Sequence, residues 1–183
     1  MNTVTHPRTA PVWLTWIIIS LFLFLSACAS TPSRNKRPSK TPQNVSVGAG
    51  PNRALAVYAM KFLGTPYKYG GSHPSNGFDC SGLVQYSAKN SLNLNLPRRS
   101  VEQANYGQSI SLKQVKAGDL LFFNTDGQPY SHVGIYVGQT YFIHAPSLNG
   151  EAGIEDYSKT YWAQRISSVS RETYENQPLR SAP

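Results

Sequence analysis

The chain has 183 residues, 40% of them hydrophobic and 11% aromatic, with a formal net charge of +8. That composition suffices for a real core and suits one compact domain plus a tail, and no internal repeat or second domain is visible. Of the two cysteines, the first falls in an export signal, which excludes a disulfide within the chain and leaves the second as a thiol to be explained.

The chain opens on a short stretch carrying Arg8, followed by the apolar run "VWLTWIIISLFLFL", residues 12–25. The run is short for a comfortable membrane span and ends in "LSAC", residues 25–28, as a secretory signal does. The pattern resembles the lipobox of bacterial lipoproteins. That implies removal of residues 1–27, lipid on Cys28 and membrane attachment through it. Ala29, not Asp, follows the cysteine, so the resemblance points to the periplasmic face of the outer membrane. Residues 28–51 are rich in Ser, Pro, Thr and Asn and carry Arg34, Lys36, Arg37 and Lys40. They read as a flexible basic tether. Export argues against a nucleic-acid partner, weak attraction to anionic lipid or cell-wall polymer fits the charge better, and a simple solvated linker fits best.

The domain is expected over residues 52–171, with 172–183 as a frayed tail. Asn52 can cap a first helix with Leu55, Tyr58, Ala59 and Phe62 on one face, ended by Gly64 and blocked by Pro66. "TPYKYGGSHPSNGF" is a loop by its Gly and Pro content. Asp79 can cap a second helix from about Cys80 to Lys89, with Leu83, Val84 and Ser87 inward. Ser100 and Gln103 form a capping-box pattern for a short third helix. The texture then turns β-rich in "GDLLFFN", "HVGIYVG", "TYFIHA" and "QRISSVSR". Helices followed by a strand meander predict an α+β domain with an antiparallel sheet.

Of the four histidines, His6 leaves with the signal and His73 sits in the Gly-Pro loop. His132 opens one strand and His144 closes the next. A hairpin centred on residue 138 sets the two opposite each other, and side chains alternate along strands, so both share one face. Val133, Ile135, Val137, Tyr141 and Ile143 then form the other, apolar face. The argument assumes an odd loop length. Cys80 is open to two readings, a buried small apolar residue or a reactive thiol. Two histidines on one hairpin face favour the second: an imidazole can activate a thiol, and a second imidazole can orient the first. A helix start and an adjacent imidazolium would lower the thiol pKa. Cys-His-His is also a possible zinc set, but no short spacing such as Cys-x-x-Cys occurs, so neither metal nor cofactor is expected.

Taken together, "GTPYKYGG", "FDCSGLVQY", "LPRRSVEQA", "AGDLLFF", "HVGIYVG" and "FIHA", in that order over residues 64–145, resemble the NlpC-type cell-wall cysteine peptidases. The resemblance implies a papain-like fold, N-terminal helices packed on a central antiparallel sheet. It implies Cys80 as nucleophile, His132 as general base and His144 as the orienting residue. Tyr67 matches a tyrosine that helps the oxyanion site, with Tyr69 the weaker match. Asp79 and Ser81 match residues that grip the stem peptide, and a plain helix-cap reading of Asp79 is equally good. Arg98 has no assigned role. The implied protein is a lipid-anchored monomer that hydrolyses an amide bond in or between peptidoglycan stem peptides through a thioester. Transfer to an amine instead of water, and a non-catalytic murein-binding scaffold on the same fold, are the rival readings.

Overall fold

A computed structural model describes residues 44–147 and 150–173. The signal segment, the lipobox with Cys28 and most of the tether and tail lie outside the described residues.

Helix α1, Arg53–Ala59, buries Leu55, Ala56 and Ala59 and tightens into a 3-10 turn over Met60–Phe62. Asn52 precedes it but makes no side-chain cap. Its amide is spent elsewhere: Nδ2 donates to the backbone oxygen of Glu172 at 2.9 Å, tying the start of the domain to its end. Two short strands, β1 (Ser72–His73) and β2 (Gly77–Phe78), pair within the loop. Helix α2 then runs Cys80–Leu92, a turn longer than the sequence suggests, and ends on Asn93 in the left-handed conformation. Helix α3, Ser100–Ala104, starts one residue earlier in the capping pattern than expected. Glu102, not Gln103, reaches back to the backbone N–H of the capping residue, Arg99. Gln103 is buried and donates to the backbone oxygens of Pro97 and Ser81.

Six strands follow: β3 (Gln108–Ile110), β4 (Leu120–Phe123), β5 (His132–Gly138), β6 (Tyr141–His144), β7 (Gly153–Asp156) and β8 (Ile166–Arg171). A four-residue helix, α4 (Thr160–Ala163), lies between β7 and β8. The sheet order is β3-β8-β4-β5-β6-β7, and every pairing is antiparallel. This is the α+β architecture the sequence predicts, with β3 and β7 as strands it does not show.

One face of the sheet carries Leu120, Phe122, Val133, Ile135, Val137 and Ile143. It packs with Leu55, Ala59, Leu83, Val84 and Ala88 of α1 and α2 in the main core. The opposite face carries Leu121, Phe123, Tyr136, Phe142 and Val169 under Trp162, Tyr157 and Ile166. Strand β5 is therefore buried along its whole length. Packed structure also reaches beyond residues 52–171. Val45 and Val47 pack against the main core, the Gly48 N–H donates to Val137 O at 2.8 Å, and Glu172 is buried.

Candidate active site

Asp79 sets the start of α2. Its extended backbone ends the loop, and its Oδ1 accepts from the Gly82 N–H at 2.7 Å, the N-cap bond the sequence predicts. Its Oδ2 accepts from Gly70 N, and Arg98 donates to both oxygens at 2.9 and 2.6 Å. Ser81 Oγ donates to Asp79 and accepts from Arg98. A side chain at Gly82 would collide with Gly71 O, so only glycine lets the loop close on this turn. The polar atoms of Asp79 and Ser81, 9% and 6% exposed, are thus committed to one another and to the fold. The charge this cluster turns outward is Arg98, whose side chain is 36% exposed.

Cys80 follows as the first residue of the helix, half-buried and unbridged. The backbone N–H of Val133 lies close enough to the thiol to favour its ionised form, which places Cys80 near the start of β5, the strand that His132 opens. Tyr67 is half-buried close to Cys80, Asp79 and Arg98. Burial, with the neighbouring thiolate and carboxylate charges, raises its hydroxyl pKa, so it stays a donor. Tyr69 is 90% exposed and His73 is also on the surface, where its Nδ1 meets Ser75 Oγ.

His132 and His144 are 5% and 2% exposed, with His132 Nε2 and His144 Nδ1 2.8 Å apart. They do share a face, by a different route from the one expected. Ile135 pairs with Ile143 and Tyr136 with Phe142, so the two histidines are diagonal neighbours, not directly opposite. The turn is the two residues Gln139 and Thr140, and a bulge at Gly138 restores the parity it would have broken. Gly138 has φ +146°, a conformation that favours glycine. The hydrogen bond uses Nε2 of His132 and not its Nδ1.

The expected acidic thiol is not what this geometry produces. Burial pushes the Cys80 thiol up, and the Asp79 carboxylate pushes the same way, against the N–H groups of Val133, Ser81 and Cys80. Burial also pushes His132 down to about 4 and His144 well below its ordinary value. Imidazolium next to the thiol is therefore absent at neutral pH, and the capping carboxylate offsets the positive end of the helix. The resting pair is a neutral thiol beside a neutral imidazole.

The residue that keeps the imidazoles dry has no signal in the sequence pattern. Trp162 of α4 stacks on His132 at 5.7 Å and 28°, and meets His144 edge-on at 5.1 Å. It also packs on Phe123 and Phe142, each 5.0 Å away. A tryptophan in a short helical turn, far along the chain from both histidines, could be placed only by the fold.

A cysteine at a helix start packed against an antiparallel sheet is the arrangement of the papain-like fold, and this chain has that fold. The model of the NlpC/P60 family matches residues 64–171, more than half of the chain, and the chain belongs to that family. It is 37% identical over 164 residues to a probable endopeptidase of Haemophilus influenzae, covering 87% of this chain and 98% of that protein. It is 41% identical over 114 residues to a γ-DL-glutamyl hydrolase of Bacillus subtilis, covering 62% of this chain and 27% of that one. It is 39% identical over 115 residues to the murein DD-endopeptidase MepH of Escherichia coli, covering 61% and 42%. The chain thus spans less than half the length of two of these relatives and nearly all of the third. Among solved structures, a lipoprotein-like NLP/P60 protein of Staphylococcus aureus aligns with a TM-score of 0.60 at 34% identity, covering 67% of this chain and 41% of that one.

Proposed function

We propose that the protein is a peptidoglycan hydrolase, anchored by lipid on Cys28 at the periplasmic face of the outer membrane, that cleaves an amide bond in or between murein stem peptides. The reading is supported by Cys80 at a helix start near the first residues of β5, and by the His132–His144 hydrogen bond, which uses His132 Nε2 and not Nδ1. The murein substrate is supported by the names of relatives such as MepH, and the anchor by the lipobox.

In this reading His132 donates its Nε2–H to His144 Nδ1, the tautomer in which Nδ1 is a base. As Cys80 Sγ attacks the scissile carbonyl, its proton passes to His132 Nδ1. The tetrahedral oxyanion takes hydrogen bonds from the Cys80 N–H and the Tyr67 hydroxyl. Collapse expels the amine, which takes the proton from His132, and leaves a thioester. Water, deprotonated by the same nitrogen, then releases the acid and the thiol. Because thiol and imidazole rest uncharged, the ion pair forms only during attack, so base strength at His132 counts directly toward the rate.

The test is incubation of purified sacculi with the protein and with Cys80→Ala, followed by mass spectrometry of released fragments. Peptide products from the wild type alone support the reading. Tight murein binding without products would replace it with a scaffold function. For the anchor, fatty-acid labelling of cells should mark the wild type and not Cys28→Ala, and equal labelling would remove it.

A further inference from the structure

We propose that a polar pocket lined by Asn124, Thr125, Gly127, Gln164 and Arg165 binds a carboxylate carried by the amine half of the cleaved peptide, with Arg165 as its anchor. The inference rests on the role proposed above for His132.

The pocket, about 380 Å³ in volume, opens at the end of the sheet where β4 stops and β5 and β8 begin. Asn124 directly follows Phe123, the register partner of His132. Its backbone N–H donates to Arg165 O at 2.8 Å. Thr125 N donates to the hydroxyl of Ser131, the residue before His132, at 2.9 Å. Residues step about 3.3 Å along a strand and strands lie about 4.8 Å apart, so the near wall of the pocket is within roughly 6 Å of the His132 backbone. The imidazole that protonates a leaving nitrogen must touch it, which puts the released fragment on the His132 side of the scissile bond. Tyr67, Asp79 and Arg98 belong instead to the loops and helix around Cys80.

The lining is built for an anion. No acid is part of it. Asp126, in the same loop, turns its carboxylate to Gln128 N at 3.1 Å. Asn124 Oδ1 accepts from Gly127 N at 2.8 Å, which leaves the NH2 half of that amide as the outward donor. Arg165 Nη1 donates to Tyr161 O at 2.8 Å, and the guanidinium carbon stands 4.0 Å over the Tyr161 ring. Among the described residues these two contacts hold the group, its Nε and Nη2 have no hydrogen-bond partner, and it forms no ion pair. A fixed guanidinium loses little freedom on binding, and its hydrogen bonds to a carboxylate are charge-assisted. Favoured cuts are therefore those whose leaving amine carries a free carboxylate within a residue or two.

The experiment uses two soluble stem-peptide substrates, identical except that the carboxylate of the leaving half is free or amidated. The wild type should prefer the free acid by about tenfold in kcat/KM, mostly through KM, the scale of one charge-assisted contact. Arg165→Gln should bring the ratio close to one, and Arg165→Lys should keep part of it. Arg53→Gln, which removes an exposed charge on α1, should leave the ratio as in wild type. A second arm needs no turnover. In the Cys80→Ala protein, the Arg165 Nε–H NMR signal should shift with the free-acid peptide and not with the amide. A wild-type ratio of one, or an Arg165→Gln ratio equal to wild type, overturns the proposal. If the wild type cleaves neither peptide, the peptidase reading falls, and the NMR arm still decides the pocket: equal responses to the two peptides, or none, overturn it.

Discussion

The two halves of the site are held by opposite means. Around Cys80 the positions are set by charge and hydrogen bonds: Asp79 takes contacts from Gly82, Gly70, Ser81 and Arg98. Around His132 they are set by aromatic packing, with Trp162, Phe123 and His144 against the ring and water kept out. A polar network fixes where an atom sits, and its carboxylate adds to burial in keeping the thiol protonated. A dry aromatic wall fixes orientation and keeps the imidazole uncharged. The thiol and the imidazole are thus tuned from different sides, and each side can be broken without the other.

The largest effect should come from removing either partner. Cys80→Ala and His132→Ala should each lower stem-peptide hydrolysis by roughly 10⁴-fold or more, and the double variant should be little worse, because the two act as one unit. Additive losses in rates on purified fragments would break that unit apart.

Opening the dry side comes next. Trp162→Ala should let water reach the imidazoles, so His132 titrates closer to the ordinary histidine value of about 6.5 and the acid limb of the pH–rate profile moves up. A roughly tenfold loss in kcat near pH 5.5 is the order expected for a move from about 4 to about 6.5, because the neutral fraction of His132 then falls to about a tenth, with Trp162→Phe recovering most of it. A limb that stays in place would mean that the backbone alone keeps the histidines dry.

The polar side should respond in the thiol instead. Alkylation of Cys80 against pH should show a midpoint above the free-cysteine value of about 8.5. Asp79→Asn should lower that midpoint, since a negative neighbour is lost. His132→Ala should move it far less, because the ring it removes carries no charge at those pH values. The same Asp79 substitution should cost about 1 kcal/mol of stability in urea titration, the range of a helix cap.

The smallest effect separates the histidines from a third buried group. The folded protein protonates His132 at about 4 and the unfolded chain at about 6.5, so stability from this group is lost as pH falls from 6.5 toward 4. Glu172 runs the other way. Burial raises its pKa from 4.5 to about 7, so its contribution is present below 4.5 and lost as pH rises through 7. The two partly cancel between 4.5 and 6.5. Glu172→Gln should therefore steepen the acid-side fall in melting temperature across that window, and an unchanged slope would contradict the assignment.

What the sequence determined by itself was local or periodic. The Asp79 cap and the start of α2 follow from one side chain accepting from a backbone N–H three residues on. The split of β5 and β6 into a histidine face and an apolar face follows from the two-residue period of a strand, and a bulge preserved that parity against a wrong turn length. What only the tertiary structure decided depends on residues far apart in the chain. Arg98 completes the Asp79 cluster from 19 residues away, and Trp162 reaches His132 from a helical turn between β7 and β8. The protonation states needed all of this at once. The Cys80 pKa is set by desolvation and a nearby carboxylate against backbone N–H groups, and desolvation is a property of everything packed around an atom, which no local pattern records.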